Sequence, residues 1–273
     1  MRRLSLLIGL AFLLTGSSAA QTQVGFLAVG DYGVGGSREA ATGLAMKRFE
    51  ARHPANWLVT LGDNDYGESP VRFRASWQQA FGWARRSGLR VGGVLGNHDY
   101  IVRRGAYELA TLGMPGRYYT RRLGDGVQLF FLDANRITTR QTAWLEQQLS
   151  ESNATWKIAI FHQPPYTCGE HAGDRDVVRS WVPLFERYGV QLVLSGHDHD
   201  YQRFAPRNGV TYVVDGGGGA PLYRLHACPR SYPRWARRFS DYGFLYVSAT
   251  DSGLDVSALD MRGRIRDHFA LAR

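Results

Sequence analysis

Five short apolar runs, each ending abruptly in polar residues, constrain the fold of this 273-residue chain more than any other feature. The runs with their polar ends are VGFLAVGDYG, WLVTLGDNDY, RVGGVLGNHDY, WKIAIFHQPPY and VQLVLSGHDHDY. Short apolar runs that are rich in β-branched residues and bounded by glycine are typical of buried strands. We therefore interpret each run as a strand whose carboxyl end carries polar side chains.

Segments of helical character lie between these strands, at residues 37–52, 71–86, 138–150 and 174–188. This alternation of strand and helix predicts an α/β fold. Beyond residue 200 the pattern changes to turn-rich segments at residues 210–214, 244–249, 254–259 and 263–269, which predict antiparallel strands of a second sheet. The expected architecture is a layered sandwich of two mixed β-sheets flanked by helices. The polar residues of the five runs are expected to converge on one edge of the sheet.

The amino terminus has the features of a signal peptide: Arg2 and Arg3, an apolar run at residues 4–14 and small residues at 16–20. The apolar run is shorter than the roughly 20 residues that a membrane-spanning helix needs. We expect cleavage after Ala20, export to the periplasm or secretion, and no stable membrane insertion afterwards; an uncleaved anchor is the alternative. Residues 21–273 contain no low-complexity linker and are expected to form one domain.

Export would place Cys168 and Cys228 in an oxidising compartment, where they can form a disulfide; two free buried thiols are the alternative. The net charge of +9 favours the approach of anionic substrates or surfaces. Arginines are concentrated at residues 224–238, a segment that we interpret as a solvated loop rather than a phosphate or polymer site. The chain lacks the interleaved aromatic and basic residues of single-strand binders, so we expect no specific nucleic acid partner. The sequence does not indicate an oligomeric state.

The polar side chains at the strand ends form a set of metal-binding groups. They are Asp31, Asp63, Tyr66, Asn97, His162, His197 and His199, with His98 beside Asn97. Carboxylate, imidazole, phenolate and carboxamide groups without a thiolate suit Fe, Zn or Mn, and their number suits two ions that share one bridging carboxylate. A lone Gly-Asp is usually a turn and a lone histidine is usually a core residue. Their joint occurrence directly after strands favours a metal site.

The chain resembles the calcineurin-like metallophosphoesterase superfamily and, more narrowly, the purple acid phosphatases of the small, tartrate-resistant type. The resemblance covers nearly all of residues 21–273 and is carried by GDYG, GDNDY, GNHD, GHDH and the histidine of IAIFH. It implies that a first metal is held by Asp31, Tyr66 and His199, a second by Asn97, His162 and His197, and that Asp63 bridges them. In purple acid phosphatases the tyrosine binds Fe(III) and gives the colour. The expected cofactors are therefore Fe(III) and a divalent Fe, Zn or Mn ion.

Three details bear on this resemblance. Tyr32 stands where relatives usually have tryptophan and Asp65 where an aromatic residue is frequent, which we expect to affect substrate preference more than the metal site. Asp31 follows the expected cleavage site closely, so the N-terminal β-domain of the larger relatives is expected to be absent. The glycine-rich segment 215–223 is interpreted as a turn that passes close to the site, with a phosphate-binding loop as the alternative.

The expected function is the hydrolysis of small phosphate monoesters by a metal-activated hydroxide, as in an acid phosphatase. The leaving group needs a proton, and His98 and His171 are the candidate donors. A histidine at the spacing of His171 contacts substrate in the tartrate-resistant relatives, and a loop histidine in solvent is the alternative. A phosphodiesterase or nucleotidase on the same scaffold is the first rival function. A non-catalytic polyanion-binding protein is the second, although such a protein does not need the complete ligand set.

Overall fold

The computed structural model describes residues 24–67, 69–101 and 105–273. The predicted signal peptide at residues 1–20 and its cleavage site after Ala20 lie outside the described residues. Within the described part of the chain, no helix is long and apolar enough to cross a membrane.

Two mixed β-sheets form the centre of the molecule. The strands are β1 (Val24–Val29), β2 (Trp57–Thr60), β3 (Arg90–Gly93), β4 (Tyr119–Leu123), β5 (Val127–Phe131), β6 (Trp156–Ile160), β7 (Leu192–Ser195), β8 (Tyr201–Phe204), β9 (Thr211–Asp215), β10 (Trp235–Phe239), β11 (Gly243–Ala249), β12 (Gly253–Asp260) and β13 (Ile265–Ala272). The first sheet has the order β13-β12-β11-β1-β2-β3 and the second the order β10-β8-β9-β7-β6-β5-β4. Each sheet combines parallel and antiparallel pairs, which confirms the predicted sandwich of mixed sheets.

Helices flank the two sheets. They are α1 (Ser37–Glu50), α2 (Pro70–Ala80), α3 (Gly82–Arg86), α4 (Ala106–Leu112), α5 (Thr139–Glu151), α6 (Arg175–Ser180) and α7 (Val182–Tyr188). Side chains alternate along β6, as the pleat of a strand requires. Ile158 and Ile160 join the core that includes residues of both sheets, whereas Ala159 packs in a second cluster with side chains of α5, α6 and α7. Strand β6, which leads to the predicted ligand His162, thus packs against a core on each of its faces.

The predicted strand grouping is wrong for the carboxyl-terminal segments. Strands β11, β12 and β13 extend the first sheet instead of forming the second, because β2 leaves one edge of β1 unpaired and β11 supplies its hydrogen bonds. The second sheet consists of β4 to β10. Four of its strands, β4, β5, β8 and β10, were not among the predicted segments.

Two of the predicted helices are interrupted. Residues 71–86 divide into α2 and α3 at Phe81, where Gly82 weakens the helical backbone. Residues 174–188 divide into α6 and α7 at Trp181, because Pro183 lacks an N–H and its ring clashes with the carbonyl four residues earlier. The helices predicted at 37–52 and 138–150 are confirmed as α1 and α5, with slightly different ends. Helix α4 was not predicted.

Cys168 and Cys228 form a disulfide, with their Cα atoms 5.0 Å apart and a sequence separation of 60. Closing a loop of this length stabilises a fold by about 4 kcal/mol in the chain-entropy model. The bond joins the loop before α6, which carries His171, to the arginine-rich segment 224–238. That segment is not wholly a loop as expected, because Trp235–Phe239 pairs with β8 as the edge strand β10.

Candidate metal centre

The predicted ligands lie where the ends of the two sheets meet. They follow β1, β2 and β3 of the first sheet and β6 and β7 of the second. The backbone N–H of His197 donates across this seam to Asp31 Oδ2 at 2.9 Å, and that of Asp31 donates to the carbonyl of Gly62 at 3.1 Å. The expectation that one edge of a single sheet carries all the ligands is therefore wrong. Both sheets contribute, since their parallel strands end on the same side of the sandwich.

The backbone is strained at three of the predicted ligands. Asp31, Asp63 and His197 have φ angles of 57°, 49° and 76°, and Asn208 is the remaining non-glycine residue with positive φ in the described chain. Such conformations cost about 1–3 kcal/mol each and persist only where the surroundings impose them. The adjoining loops pack closely, since a Cβ atom at Gly96 would lie 2.0 Å from Asp63 Oδ1. The glycines of these motifs therefore let backbone approach the carboxylates.

Tyr66 connects the residues predicted to hold the first metal. Its hydroxyl lies 3.2 Å from Asp31 Oδ1 and 2.9 Å from His199 Nε2. His199 Nε2 is in turn 3.4 Å from Asp31 Oδ1. The other ring nitrogen of His199, Nδ1, lies 2.7 Å from the carbonyl of Pro221. That carbonyl fixes the orientation of the ring, so Nε2 faces the site.

His162 occupies the centre of the residues predicted to hold the second metal. Its Nε2 lies 3.2 Å from Asn97 Oδ1, 3.3 Å from Asp63 Oδ1 and 3.9 Å from Asp31 Oδ1. The ring of His197 lies 5.1 Å from that of His162, centroid to centroid. Donor atoms of Asp31, Asp63 and His162 all lie within 4.8 Å of one another. The structure thus brings the predicted ligands together, while their binding of metal stays a prediction.

The two carboxylates at this point are buried, at 0% and 2% exposure for Asp31 and Asp63. Burial raises the pKa of Asp31, whereas at Asp63 the neighbouring His162 and His98 outweigh burial and lower the pKa. Burial alone would lower the pKa of His162, but the two carboxylates raise it to about 10. A positive charge between the carboxylates is therefore strongly favoured, which is the electrostatic condition that a bound cation meets.

The two predicted proton donors border the ligands. His98 packs its ring against Tyr66 at a centroid distance of 4.3 Å, and its backbone N–H donates to Asp63 Oδ1 at 2.9 Å. His171 stacks on His197 at 4.0 Å, and its side chain is 38% exposed. Both imidazoles therefore lie beside the ligand cluster. Their role in proton transfer stays a prediction.

Two further buried carboxylates hold the site together, and the sequence analysis gave them no role. Asp99 is 1% exposed and accepts hydrogen bonds from three backbone N–H groups, those of Asn64, Asp65 and Gly96. Asp198 is fully buried, accepts a hydrogen bond from the backbone N–H of His171, and lies 3.0 Å from the Nδ1 atom of that residue. Asp99 thus ties the GDNDY loop to the GNHD loop, and Asp198 orients His171. The sequence signal for these two residues was their position inside glycine-led motifs, Asp99 in GNHD and Asp198 in GHDH.

Tyr32 and Asp65 lie behind the ligands, at 0% and 6% exposure. The Tyr32 hydroxyl donates to Asn64 Oδ1 at 2.9 Å, and Asp65 accepts a hydrogen bond from the hydroxyl of Tyr107 at 3.1 Å. Both side chains therefore support the GDNDY loop. Neither side chain touches a predicted ligand, and an effect of these departures from the family pattern on substrate preference stays a prediction.

The glycine-rich segment 215–223 is a turn that passes close to the site, as predicted. The backbone N–H of Gly218 donates to the carbonyl of Gly30 at 2.9 Å, and that of Ala220 to the carbonyl of Asp31 at 2.9 Å. Its last residue, Tyr223, stacks on His199 at a centroid distance of 3.9 Å. Tyr223 is a neighbour of the predicted ligands that the sequence analysis missed, and an aromatic residue after a glycine-rich turn is a weak signal.

Comparisons with known proteins give relatives that align over nearly the whole chain. Tartrate-resistant acid phosphatase type 5 of Mus musculus is 25% identical, with 92% of this chain and 91% of that protein covered. Purple acid phosphatase 7 of Arabidopsis thaliana is 25% identical, with 91% of this chain and 86% of that protein covered. These matches agree with the resemblance found in the motifs.

Solved structures share the fold at lower identity. GAP50, described as the anchor in the inner membrane complex of Plasmodium, has a TM-score of 0.79 at 18% identity, with 92% of this chain and 89% of that chain covered. Purple acid phosphatase PPD1 from yellow lupin has a TM-score of 0.76 at 17% identity, with 93% of this chain and 54% of that chain covered. The sequence model of the calcineurin-like phosphoesterases matches residues 19–201, well over half of the chain. The chain therefore belongs to the calcineurin-like phosphoesterase family.

Proposed function

We propose that this protein is an acid phosphatase that hydrolyses small phosphate monoesters at a centre of two metal ions. The observation that carries the proposal is the convergence of the predicted ligands from five loops, with donor atoms of Asp31, Asp63 and His162 within 4.8 Å of one another. Relatives named as acid phosphatases, aligned over more than nine-tenths of the chain, support the same activity.

The donor set fits two cations of different character. We assign Asp31, Tyr66 and His199 to the first ion and Asn97, His162 and His197 to the second, with Asp63 between them. Burial and the charges of Asp31 and Asp63 raise the pKa of Tyr66. Its phenolate therefore forms only where a strongly charged cation replaces the proton, which favours Fe(III) at the first position. The second position then takes a divalent Fe, Zn or Mn ion.

Two such cations, when bound, supply the hydroxide nucleophile and neutralise the oxygens of the phosphate. The chain holds the donors in fixed positions through strained backbone at Asp31 and Asp63 and through the hydrogen bonds that Asp99 accepts. We assign proton donation to His98 or His171. The imidazole N–H transfers its proton to the oxygen of the departing alcohol as the P–O bond breaks, so the alcohol leaves neutral.

The substrate is a small phosphate ester, the protein is exported after cleavage at Ala20, and no specific nucleic acid takes part. A purely binding role is the weaker alternative, although GAP50, which shares this fold, is described as an anchor. A binding surface does not need buried, strained donors that converge on one point.

Chromogenic esters test the monoesterase assignment. The metal-loaded protein should hydrolyse p-nitrophenyl phosphate with a kcat/KM about 10- to 100-fold above that for bis(p-nitrophenyl) phosphate. The monoester has one more charged oxygen to pair with the site, and a charged hydrogen bond contributes about 1.5–3 kcal/mol. A faster reaction with the diester would identify a phosphodiesterase. Bound metals without hydrolysis of either ester would favour the binding role.

A further inference from the structure

A cavity of about 690 Å³ that contains three arginines lies next to the candidate metal centre. We call it the arginine cavity. Its lining includes Arg117, Arg136 and Arg140, together with Tyr100, Asp133 and Asn135. None of these residues belongs to the predicted ligands or proton donors, and the proposed function leaves the arginine cavity unexplained.

The lining of the arginine cavity contacts two loops of the candidate metal centre. Tyr100 ends the short 3₁₀ helix His98–Tyr100, and two residues of such a helix span only about 4 Å along its axis. Asn135 Nδ2 donates to the carbonyl of Leu95 at 2.9 Å, and its Oδ1 accepts a hydrogen bond from Gln163 Nε2 at 2.8 Å. Gln163 directly follows the predicted ligand His162. These contacts place the lining of the arginine cavity beside the loops that carry His98 and His162.

The three guanidinium groups lack a close carboxylate partner among the residues that the structure describes, in contrast to Arg203, which pairs with Asp267. The guanidinium of Arg117 lies 4.7 Å from the ring centroid of Tyr100, and its Nη1 is buried without a hydrogen-bond partner in the described chain. A buried donor without a partner costs about 1–3 kcal/mol, and more when it is charged. A bound anion would remove that cost.

Burial raises the pKa of Asp133 and the nearby charge of Arg117 opposes that rise, so one carboxylate offsets only part of the charge of the arginine cavity. Asp133 is 3% exposed, and its oxygens accept hydrogen bonds from the hydroxyl of Tyr100 and from both nitrogen groups of Asn135. Three arginines against one carboxylate leave a positive excess. Helix α5 also starts here, with Thr138 as its N-cap, and the positive end of its dipole adds to that excess.

We propose that the arginine cavity binds a second phosphoryl group of the substrate, so that the preferred substrates are small molecules with two phosphates. The inference rests on the proposed phosphatase function and narrows its substrate class. One phosphate lies at the metals, while the guanidinium groups hold the other through paired N–H···O hydrogen bonds that match phosphate geometry. The excess positive charge of the chain acts in the same direction.

A binding measurement tests this inference without relying on catalysis. Calorimetric titration of the metal-loaded protein would compare butylphosphonate with butane-1,4-bisphosphonate, and ethane and hexane spacers would bracket the separation of the two positions. We expect the best bisphosphonate to bind about 10- to 100-fold more tightly than its monophosphonate, as a few charged hydrogen bonds allow. Equal affinity at every spacer length would overturn the inference.

Variants identify the groups responsible. Arg117→Ala, Arg136→Ala and Arg140→Ala should each lower the ratio of the two affinities by about three- to tenfold. Arg136 and Arg140 are exposed, so their replacement does not endanger folding. The matched control is Arg262→Ala, an exposed arginine in the turn between β12 and β13 that also removes one positive charge. Three arginine variants that keep the wild-type ratio would overturn the inference.

A kinetic comparison separates this inference from the proposed function. The value of kcat/KM for fructose 1,6-bisphosphate should be about tenfold that for fructose 6-phosphate, and this ratio should fall in the same three variants. A bisphosphonate preference without hydrolysis of p-nitrophenyl phosphate or of either sugar phosphate would support the arginine cavity and overturn the phosphatase proposal. Hydrolysis of both sugar phosphates at equal efficiency, with equal phosphonate affinities, would support the phosphatase proposal and overturn the role of the arginine cavity.

Discussion

Replacing Asp63 with asparagine should lower turnover by at least about a thousandfold and reduce the occupancy of both metals. Asp63 is the carboxylate that we assign to both ions. Its Oδ1 atom lies 3.3 Å from His162 Nε2 and accepts a hydrogen bond from the backbone N–H of His98. Loss of one hydrogen-bond donor that stabilises the charge of a transition state typically lowers turnover by about 10²- to 10³-fold. Removing a charge shared by two cations should cost more. Metal analysis by mass spectrometry and p-nitrophenyl phosphate turnover measure the two effects.

Asp65→Asn is the matched control for this substitution. It removes a carboxylate from the same loop, but that carboxylate points to Tyr107 and to the backbone N–H of Gly67 instead of the metal centre. The control should keep both metals and stay within about tenfold of wild-type turnover. An Asp63→Asn protein that retains both metals with near-normal turnover would show that Asp63 is not the shared ligand.

His98→Ala and His171→Ala should keep both metals and slow the chemical step by about 10²–10⁴ for an alkyl phosphate, the range of general acid catalysis. The loss should be much smaller for p-nitrophenyl phosphate, because a nitrophenolate departs without a proton. A comparison of kcat for the two esters in each variant gives the readout. This difference between leaving groups distinguishes a proton donor from a residue that only binds phosphate.

His268→Ala serves as the control for the histidine substitutions, since His268 lies on β13 and contacts Asp255 at 3.3 Å, away from the metal centre. It should leave metal content and both rates near wild type. If either His98→Ala or His171→Ala loses a metal, or is equally impaired on both esters, that histidine is a ligand or a phosphate anchor.

The sequence predicted those parts of the structure that depend on local patterns. A buried strand followed by Gly-Asp or Gly-His places a polar side chain at a strand end, and Asp31, Asp63 and His197 lie where that pattern indicates. Helix α1 follows from the same kind of local regularity. To predict that the ligands lie close together, one more assumption was needed, namely that parallel strands end on one side of the fold. This assumption holds for both sheets.

The remaining features depend on contacts between distant residues and leave little trace in the sequence. The pairing of β11 with β1 joins segments more than 200 residues apart, and no local pattern states which strand edge is unpaired. The role of Asp99 arises because two loops meet around one buried carboxylate. Arg117 and Arg140 come from different elements and meet only in the folded chain. Such features become visible once the strand order is known.

Metal analysis combined with a visible absorption spectrum is the sharpest test of a two-metal centre with Tyr66 as a ligand. The purified protein should contain about two metals per chain, including Fe(III), and should absorb visible light through the phenolate of Tyr66. Tyr66→Phe should lose this absorption while its far-ultraviolet circular dichroism stays that of the wild type. A wild-type protein that holds Fe(III) yet is colourless, or a Tyr66→Phe variant that keeps the colour, would show that Tyr66 is not a metal ligand.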